Sequence, residues 1–383
     1  MVATPLAVPP YRIEVRNKSL VRQGEFTRLT SLDLTPKFND VGAFSIVLPK
    51  KDPKAQFIQE GYWLQFSSGD NQICAGQIRG IKEVYDANNP SGTYTAYGPL
   101  AEVVLSDRLA YPVPGNASSS QSAAVADVRS GIGETIIKQY VNLNAGPGTI
   151  SVRQTFGLTI EADLARGVSV MGTARMVNLL QLIQPLAQAA GLGFRVLFNG
   201  DALQFQVFVP VDRSGTAKFG IDLGNLISYE RTREAAQTNC AIAGDSGTGT
   251  ARVYREVNDT ASQSLWSNRT EAFVDQSGTN NTVQLDQAAT SEVVTNGPVN
   301  GLAMKTVDTP RLRFNVDYGL GDTVSIPDAS VTDILREIEI SWTASEGPST
   351  TSTAGTASTT GTDYERKRLA QLDAKLAALE ATK

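Results

Sequence analysis

Histidine is absent from all 383 residues, and that limits the available chemistry more than any motif present. Without imidazole, neither a Ser-His-Asp nor a Cys-His nucleophile system can be assembled within the chain. Histidine zinc sites are excluded for the same reason, and Cys74 and Cys240 are too few for an all-cysteine site. Both cysteines lie in apolar, strand-like surroundings and read as buried free thiols; one distant pair does not imply a disulfide. There is no Gly-x4-Gly-Lys-Ser/Thr phosphate loop and no Ser-x-x-Lys. The glycine-rich run Gly244-Asp-Ser-Gly-Thr-Gly249 lies between two strand-like segments and reads as a hairpin turn, not a dinucleotide fingerprint. One enzymatic route needs no histidine, because two carboxylates suffice to hydrolyse a glycoside. With 39 Asp and Glu, however, nothing singles out one pair. Trp63, Trp266 and Trp342 could stack on sugars, or they anchor cores and interfaces. No cofactor and no metal is implied.

The formal net charge of −5, with Lys50, Lys51 and Lys54 interleaved by Asp52 as the densest basic loop, gives no footprint for specific nucleic-acid binding. Residues Met1 to Pro10 lack a basic start and are interrupted by prolines, unlike a secretory signal. No run approaches the ~18 apolar residues of a membrane helix. The most apolar stretch, Val177 to Phe194, is broken by Asn178, Gln181, Gln184 and Gln188. A soluble protein made in a cytoplasm, with no stable membrane insertion, is expected.

Strands dominate the elements that would position these residues. Tyr11, Ile13 and Val15 alternate with Arg12, Glu14 and Arg16; Phe44, Ile46 and Leu48 alternate up to Pro49; Tyr62, Leu64 and Phe66 alternate again. Period-two alternation places one set of side chains in a core. Gly42, Gly61, Gly76 and Gly80 punctuate these runs, and the spacing predicts a small barrel or sandwich over residues 1–113. Leu100 to Leu109 reads as one short helix. A Ser/Ala/Gly-rich stretch from Pro114 to Ala123 marks a boundary, and an α+β region follows over 114–215. There, Val125, Val128, Ile132, Ile136 and Tyr140 form a helical stripe. A second helix runs from Asn178, its N-cap, to Gly191, its C-cap, with Pro185 expected to kink it. Asn199-Gly200 between alternating runs predicts a hairpin turn. Strands return over 216–345, among them Phe314 to Val316, Val324 to Ile326 and Ile334 to Trp342, with a helix near Thr282 to Val294.

Ser345 to Thr362 is almost wholly Ser, Thr, Gly, Ala and Pro, and residues 346–362 read as a flexible linker. A polar, amphipathic helix is expected over 363–383. Its Leu369, Leu372, Leu376 and Leu379 are spaced three, four, three, the seam of about two heptads, and are the candidate residues for self-association or docking. An echo links the two β regions: Gly61, Leu64, Phe66 and Ile78 match Gly321, Val324, Ile326 and Ile338 at one constant offset.

Several segments in order carry a resemblance: Asn39-Asp-Val-Gly-Ala-Phe-Ser-Ile-Val-Leu-Pro49, Gly61-Tyr-Trp-Leu-Gln-Phe66, Gly191-Leu-Gly-Phe-Arg-Val196 with its Asn-Gly hairpin, Asn239-Cys-Ala-Ile-Ala-Gly244 before Arg252, and Tyr318-Gly-Leu-Gly-Asp-Thr-Val324. Over roughly residues 10–345 the chain resembles the siphophage tail-hub proteins, also called tail-associated or minor tail proteins, which are similar to the baseplate hub of contractile-tailed phages. The resemblance implies a mainly β protein, in which two tube-like β domains flank an α+β domain. It also implies a homotrimer that forms a pseudo-sixfold ring at the virion tail tip. The implied partners are other copies of the chain, the distal tail protein or tail tube, the tape-measure protein, and a receptor-binding protein or fibre, in host attachment and genome delivery. The short C-terminus departs from members that continue into a lysozyme, peptidase or fibre, and no catalytic residue is carried over. Two other readings stay open: a hexameric distal tail protein, and a carbohydrate-binding adhesin or glycosidase. Lacking histidine and a cysteine cluster, the purified protein is expected to carry no zinc by elemental analysis and to clear no cell walls; stoichiometric zinc would refute this.

Overall fold

The computed structural model describes residues 10–86, 89–277 and 280–355. The candidate residues Leu369, Leu372, Leu376 and Leu379, the helix expected over 363–383 and the second half of the expected linker lie outside the described residues. Compactness divides the described residues into two units, one made of residues 10–229 with Met304–Ala354, the other of Glu230–Ala303 with Gly355.

The first unit is mainly β. A four-stranded antiparallel sheet has the order Arg22–Phe26, Arg12–Arg16, Trp63–Ser68, Asn71–Gln77. Ile13, Val15, Leu64 and Phe66 are fully buried in it, as their alternation requires. Glu14 and Arg16, expected to point outward, are also buried. Glu14 pairs with Arg12 at 2.7 Å, and Arg16 binds Asp201 at 2.8 Å while lying 4.5 Å over the Phe198 ring. Ionic partners thus let a polar face close over.

The larger sheet joins the beginning of the chain to its end. Its antiparallel order is Gly347–Gly355, Val331–Thr343, Ser31–Thr35, Ala43–Pro49, Asn89–Pro99, Gly80–Asp86. Residues 304–306 and 226–229, the ends of strands Val299–Thr306 and Leu226–Glu234 that belong to this unit, extend it on the Gly347 side. Gly347–Gly355 corrects the linker expectation. Threonine suits a strand, and the small side chains of Ser352 and Ala354 fit where both are buried, Ser352 facing Thr306 across 3.3 Å. Composition measures apolar content and is blind to backbone pairing.

Between the two β regions lies the α+β segment. Helix Gly133–Asn144 and helix Leu179–Ala190 pack into one core with Ile137, Tyr140, Ile183 and Phe205. Asn178 caps the second helix by accepting from the Leu180 N–H at 3.0 Å, and Gly191 ends it with φ +68°. The first helix starts later than its stripe predicts. Asp127–Ile132 is instead a strand paired with Ser169–Ala174, and Val125 and Val128 stay exposed. Leu100 to Leu109 yields only the turn Val103–Ser106, because Leu109–Ala110 pairs with Val177–Asn178. The hairpin Gly193–Asn199/Ala202–Phe208 forms as expected, but Asn199 pairs with Ala202, so Gly200-Asp201 makes the turn. Phe314 to Val316 is a turn, with Asn315 at φ +61°, not a strand.

The echo survives as a local device. Gly61 and Gly321 have φ of +76° and +88°, conformations that favour glycine, and each leads into an antiparallel hairpin with its apolar pair buried. The registers differ: the Gly61 N–H donates to the Ile78 carbonyl, the Gly321 N–H to that of Leu335. The outer neighbours differ too, antiparallel Arg12–Arg16 in one case and parallel bridges from Asp212 and Lys218 in the other.

The second unit is a three-stranded sheet, Tyr254–Asn258, Cys240–Gly244, Glu271–Asp275, whose central strand is antiparallel to the first and parallel to the last. Helix Thr282–Thr295, close to expectation, covers one face, setting Leu285, Ala289 and Val293 against Ala241 and Ala243. A chain ending at Gly355 is the reference for truncation. Ending it after Ser345 removes the Gly347–Gly355 strand and should lower Tm by roughly 5 °C or more; equal Tm values by calorimetry would contradict the strand's role.

Candidate assembly surface

The large sheet has two unlike faces, and register assigns them. Leu32, Leu34, Phe44, Ile46, Leu48, Ile340 and Trp342 point into the core. Ser31, Asp33, Thr35, Ser45, Thr95, Ser341, Thr343, Ser349 and Thr351 share the other face. Asp33 accepts from the Ser341 hydroxyl across the strand pair at 2.8 Å. Glu337 and Glu339 add negative charge there; Glu337 pairs with Lys37 at 3.1 Å, and Lys82 is the basic residue on the strand beside Thr95. The face is rich in hydroxyls, with Val47 and Tyr97 among them, and its three acids are matched by Lys37, Lys82 and Lys305.

Two buried carboxyls lie elsewhere in this unit. Glu134 begins the helix Gly133–Asn144 with no exposure. Burial disfavours its charge, but Arg166 and Lys138, at 2.8 and 2.6 Å, and the Arg166 N–H overcome that and hold its pKa far below the usual carboxylate range. Glu102 has no such cation. It accepts from the Val196 N–H at 3.1 Å and borders a cavity of about 260 Å³ whose walls include Phe38, Leu100, Phe194, Arg195 and Phe208. Burial pushes its pKa up to about 7, against the backbone hydrogen bond and the more distant Arg195.

Of the tryptophans, Trp63 and Trp342 are buried and offer no ring face to a sugar, while Trp266 is partly exposed. The run Gly244 to Gly249 starts the hairpin connection into Tyr254–Asn258, as read from sequence, and Asp245 organises it by accepting from the Gly247 and Val253 N–H groups, each at 2.9 Å. Both cysteines are buried and unpaired. Among the described residues, no three Cys, Asp or Glu converge as a metal site, and no helix is long and apolar enough to cross a membrane.

The sequence profile of one protein family matches residues 12–356. The chain belongs to the Siphovirus ReqiPepy6 Gp37-like protein family. No curated protein sequence matches it. Similar folds occur in solved structures of phage tail proteins, three of which follow. The 43 kDa tail protein of prophage MuSo2 from Shewanella oneidensis superposes with a TM-score of 0.56 at 11% identity, over 90% of this chain and 98% of that one. A tail protein from Neisseria meningitidis MC58 gives 0.55 at 12% identity, over 90% and 96%. The prophage tail protein gp18 from Listeria monocytogenes EGD-e gives 0.52 at 11%, over 96% and 98%. The mainly β fold of this siphovirus family member is therefore that of phage tail proteins, as the sequence resemblance implied.

Glu102 makes stability depend on pH. Its folded pKa of about 7 lies above the ordinary carboxyl value of 4.5, so its stabilising neutral form is fully present below about 4.5 and is lost as pH rises through about 7. Glu102→Gln keeps a neutral acceptor for the Val196 N–H. It is expected to match the parent protein at pH 4 and to exceed it at pH 8 by about 3 kcal/mol in denaturant unfolding; equal stability at pH 8 would rule out the buried neutral acid.

Proposed function

We propose that this protein is a structural, non-enzymatic hub subunit of the tail tip. Three copies would form a pseudo-sixfold ring that joins the hexameric tail tube or distal tail ring to threefold receptor-binding parts and closes the tube. The observation that carries the reading is the large sheet, in which strands from the first β region (1–113) and the last (216–345) stand side by side through Ser31–Thr35 and Val331–Thr343. One chain thereby supplies two β regions to one wall, and three chains supply six. Closed symmetry limits growth, so such a ring ends a tube instead of extending it.

The open face fits the inner wall of that ring. Binding a nucleic-acid backbone takes lysine and arginine, which release its counterions. A surface of Ser and Thr on which Asp33, Glu337 and Glu339 balance Lys37, Lys82 and Lys305 leaves a passing polyanion no net positive charge to hold. The α+β segment would lie outside or below the lumen. The tape-measure protein, the distal tail protein or tube, and a receptor-binding protein or fibre are the proposed neighbours. Leu369, Leu372, Leu376 and Leu379 would either pair with other copies after the ring forms or dock on one of these. A hexameric distal tail protein is the second reading, and the count of copies separates the two. Native mass spectrometry is expected to give three copies of the 40.9 kDa chain. Six copies would move the protein to the second reading, and β regions at different radii in a reconstruction of the particle would remove the pseudo-sixfold ring.

A further inference from the structure

Among the described residues, helix Thr282–Thr295 covers one face of the three-stranded sheet of the second unit. Ala241, Ala243, Val257 and Val274 lie beneath the helix, where Arg255 also binds Asp286 at 2.8 Å. Alternation then sets Cys240, Ile242 and Gly244, with Tyr254, Glu256, Asn258, Glu271, Phe273 and Asp275, on the opposite face. Tyr254 and Phe273 are 56% and 50% exposed, with ring centroids 6.3 Å apart. The Arg252 guanidinium lies against both, 5.8 Å from one ring and 5.2 Å from the other, donating to the Gly244 carbonyl and paired with Asp275. Gly244 makes this possible: a Cβ there would come within 2.8 Å of Arg252 Nε and 2.9 Å of Phe273 Cζ. Arg252 Nε is itself buried without a hydrogen-bond partner. At the other end, Arg269 is fixed by Glu271 at 2.7 Å, Asn258 at 2.9 Å and Glu256 at 3.1 Å.

We propose that this face is a binding platform for a neutral saccharide. Two exposed rings offer flat apolar surface to the C–H face of a pyranose. The carboxylates and guanidiniums beside them are held in place by one another and present planar, two-point hydrogen bonding to vicinal hydroxyls. The charges select among occupants. Arg252 and Arg269 against Glu256, Glu271 and Asp275 leave one net negative charge, the wrong sign for a nucleic-acid backbone. An apolar protein surface, or a second copy of the sheet, would have to strip water from five charged groups without replacing their hydrogen bonds. A sugar replaces that water with hydroxyls. The proposal is independent of the ring reading, since it concerns a surface of the second unit alone.

The test uses the full-length chain on an array of immobilised neutral bacterial cell-wall and capsular glycans, with a single-stranded thymidine oligonucleotide as the polyanion control. At least one glycan should be retained. Tyr254→Ala and Phe273→Ala should each lower retention about tenfold or more. Both side chains are half exposed, so thermal unfolding should stay near that of the parent. Val283→Ala, at an exposed site on the helix covering the opposite face, should change nothing. A silent array, retention unaffected by both aromatic substitutions, or binding of the oligonucleotide would each overturn the proposal.

Discussion

Ser31 to Leu34 pair with Thr343 to Ile340, and this short antiparallel ladder ties one end of the described chain to the other. Its Asp33–Ser341 hydrogen bond spans 308 positions. Closing a loop of that length costs roughly 5 kcal/mol in chain entropy on the logarithmic scaling. Four fully or nearly buried side chains at the ladder, Leu32, Leu34, Ile340 and Trp342, together contribute more than that at about 1.5–3 kcal/mol each. The ladder is therefore favourable once its neighbours are in place. Ala43–Pro49 and Gly347–Gly355 are those neighbours, one on each side.

The same sheet explains how the molecule can be both stable and wettable. Its inner face is aliphatic and aromatic; its outer face is hydroxylic. Threonine suits a strand, and both hydroxyl side chains lose little by staying in water, so the outer face needs no cover. An apolar outer face of this extent would instead mark an aggregation surface.

Charge is handled in two opposite ways within one unit. Glu134 is buried with two cations and backbone donors, and stays ionised. Glu102 is buried beside a cavity with backbone donors but no cation in contact, and is held near neutrality. The difference is the number of compensating partners, since burial alone raises the pKa of both.

Local signals in the sequence sufficed wherever a contact lies within a few residues. The Asn178 cap, the Gly191 stop, the turn residues Gly61 and Gly321 and the period-two runs through Phe44 and Phe66 were all legible there. So was the family likeness, which rests on the order of such segments. The absence of histidine excluded whole classes of chemistry before any fold was known. Tertiary structure decided what depends on partners far away in the chain. Gly347–Gly355 is a strand only because Val331–Thr343 offers it a backbone ladder, and Asp127–Ile132 leaves its helical stripe because Ser169–Ala174 pairs with it. Glu14 and Arg16 are buried where alternation puts them outside, because Arg12 and Asp201 compensate their charges. The aromatic platform of Tyr254, Phe273 and Arg252 gave no sequence signal beyond one glycine. Its members come from two segments, 252–254 and 273; strand register sets Tyr254 and Phe273 on one face, and Arg252 is held there by Gly244 and Asp275.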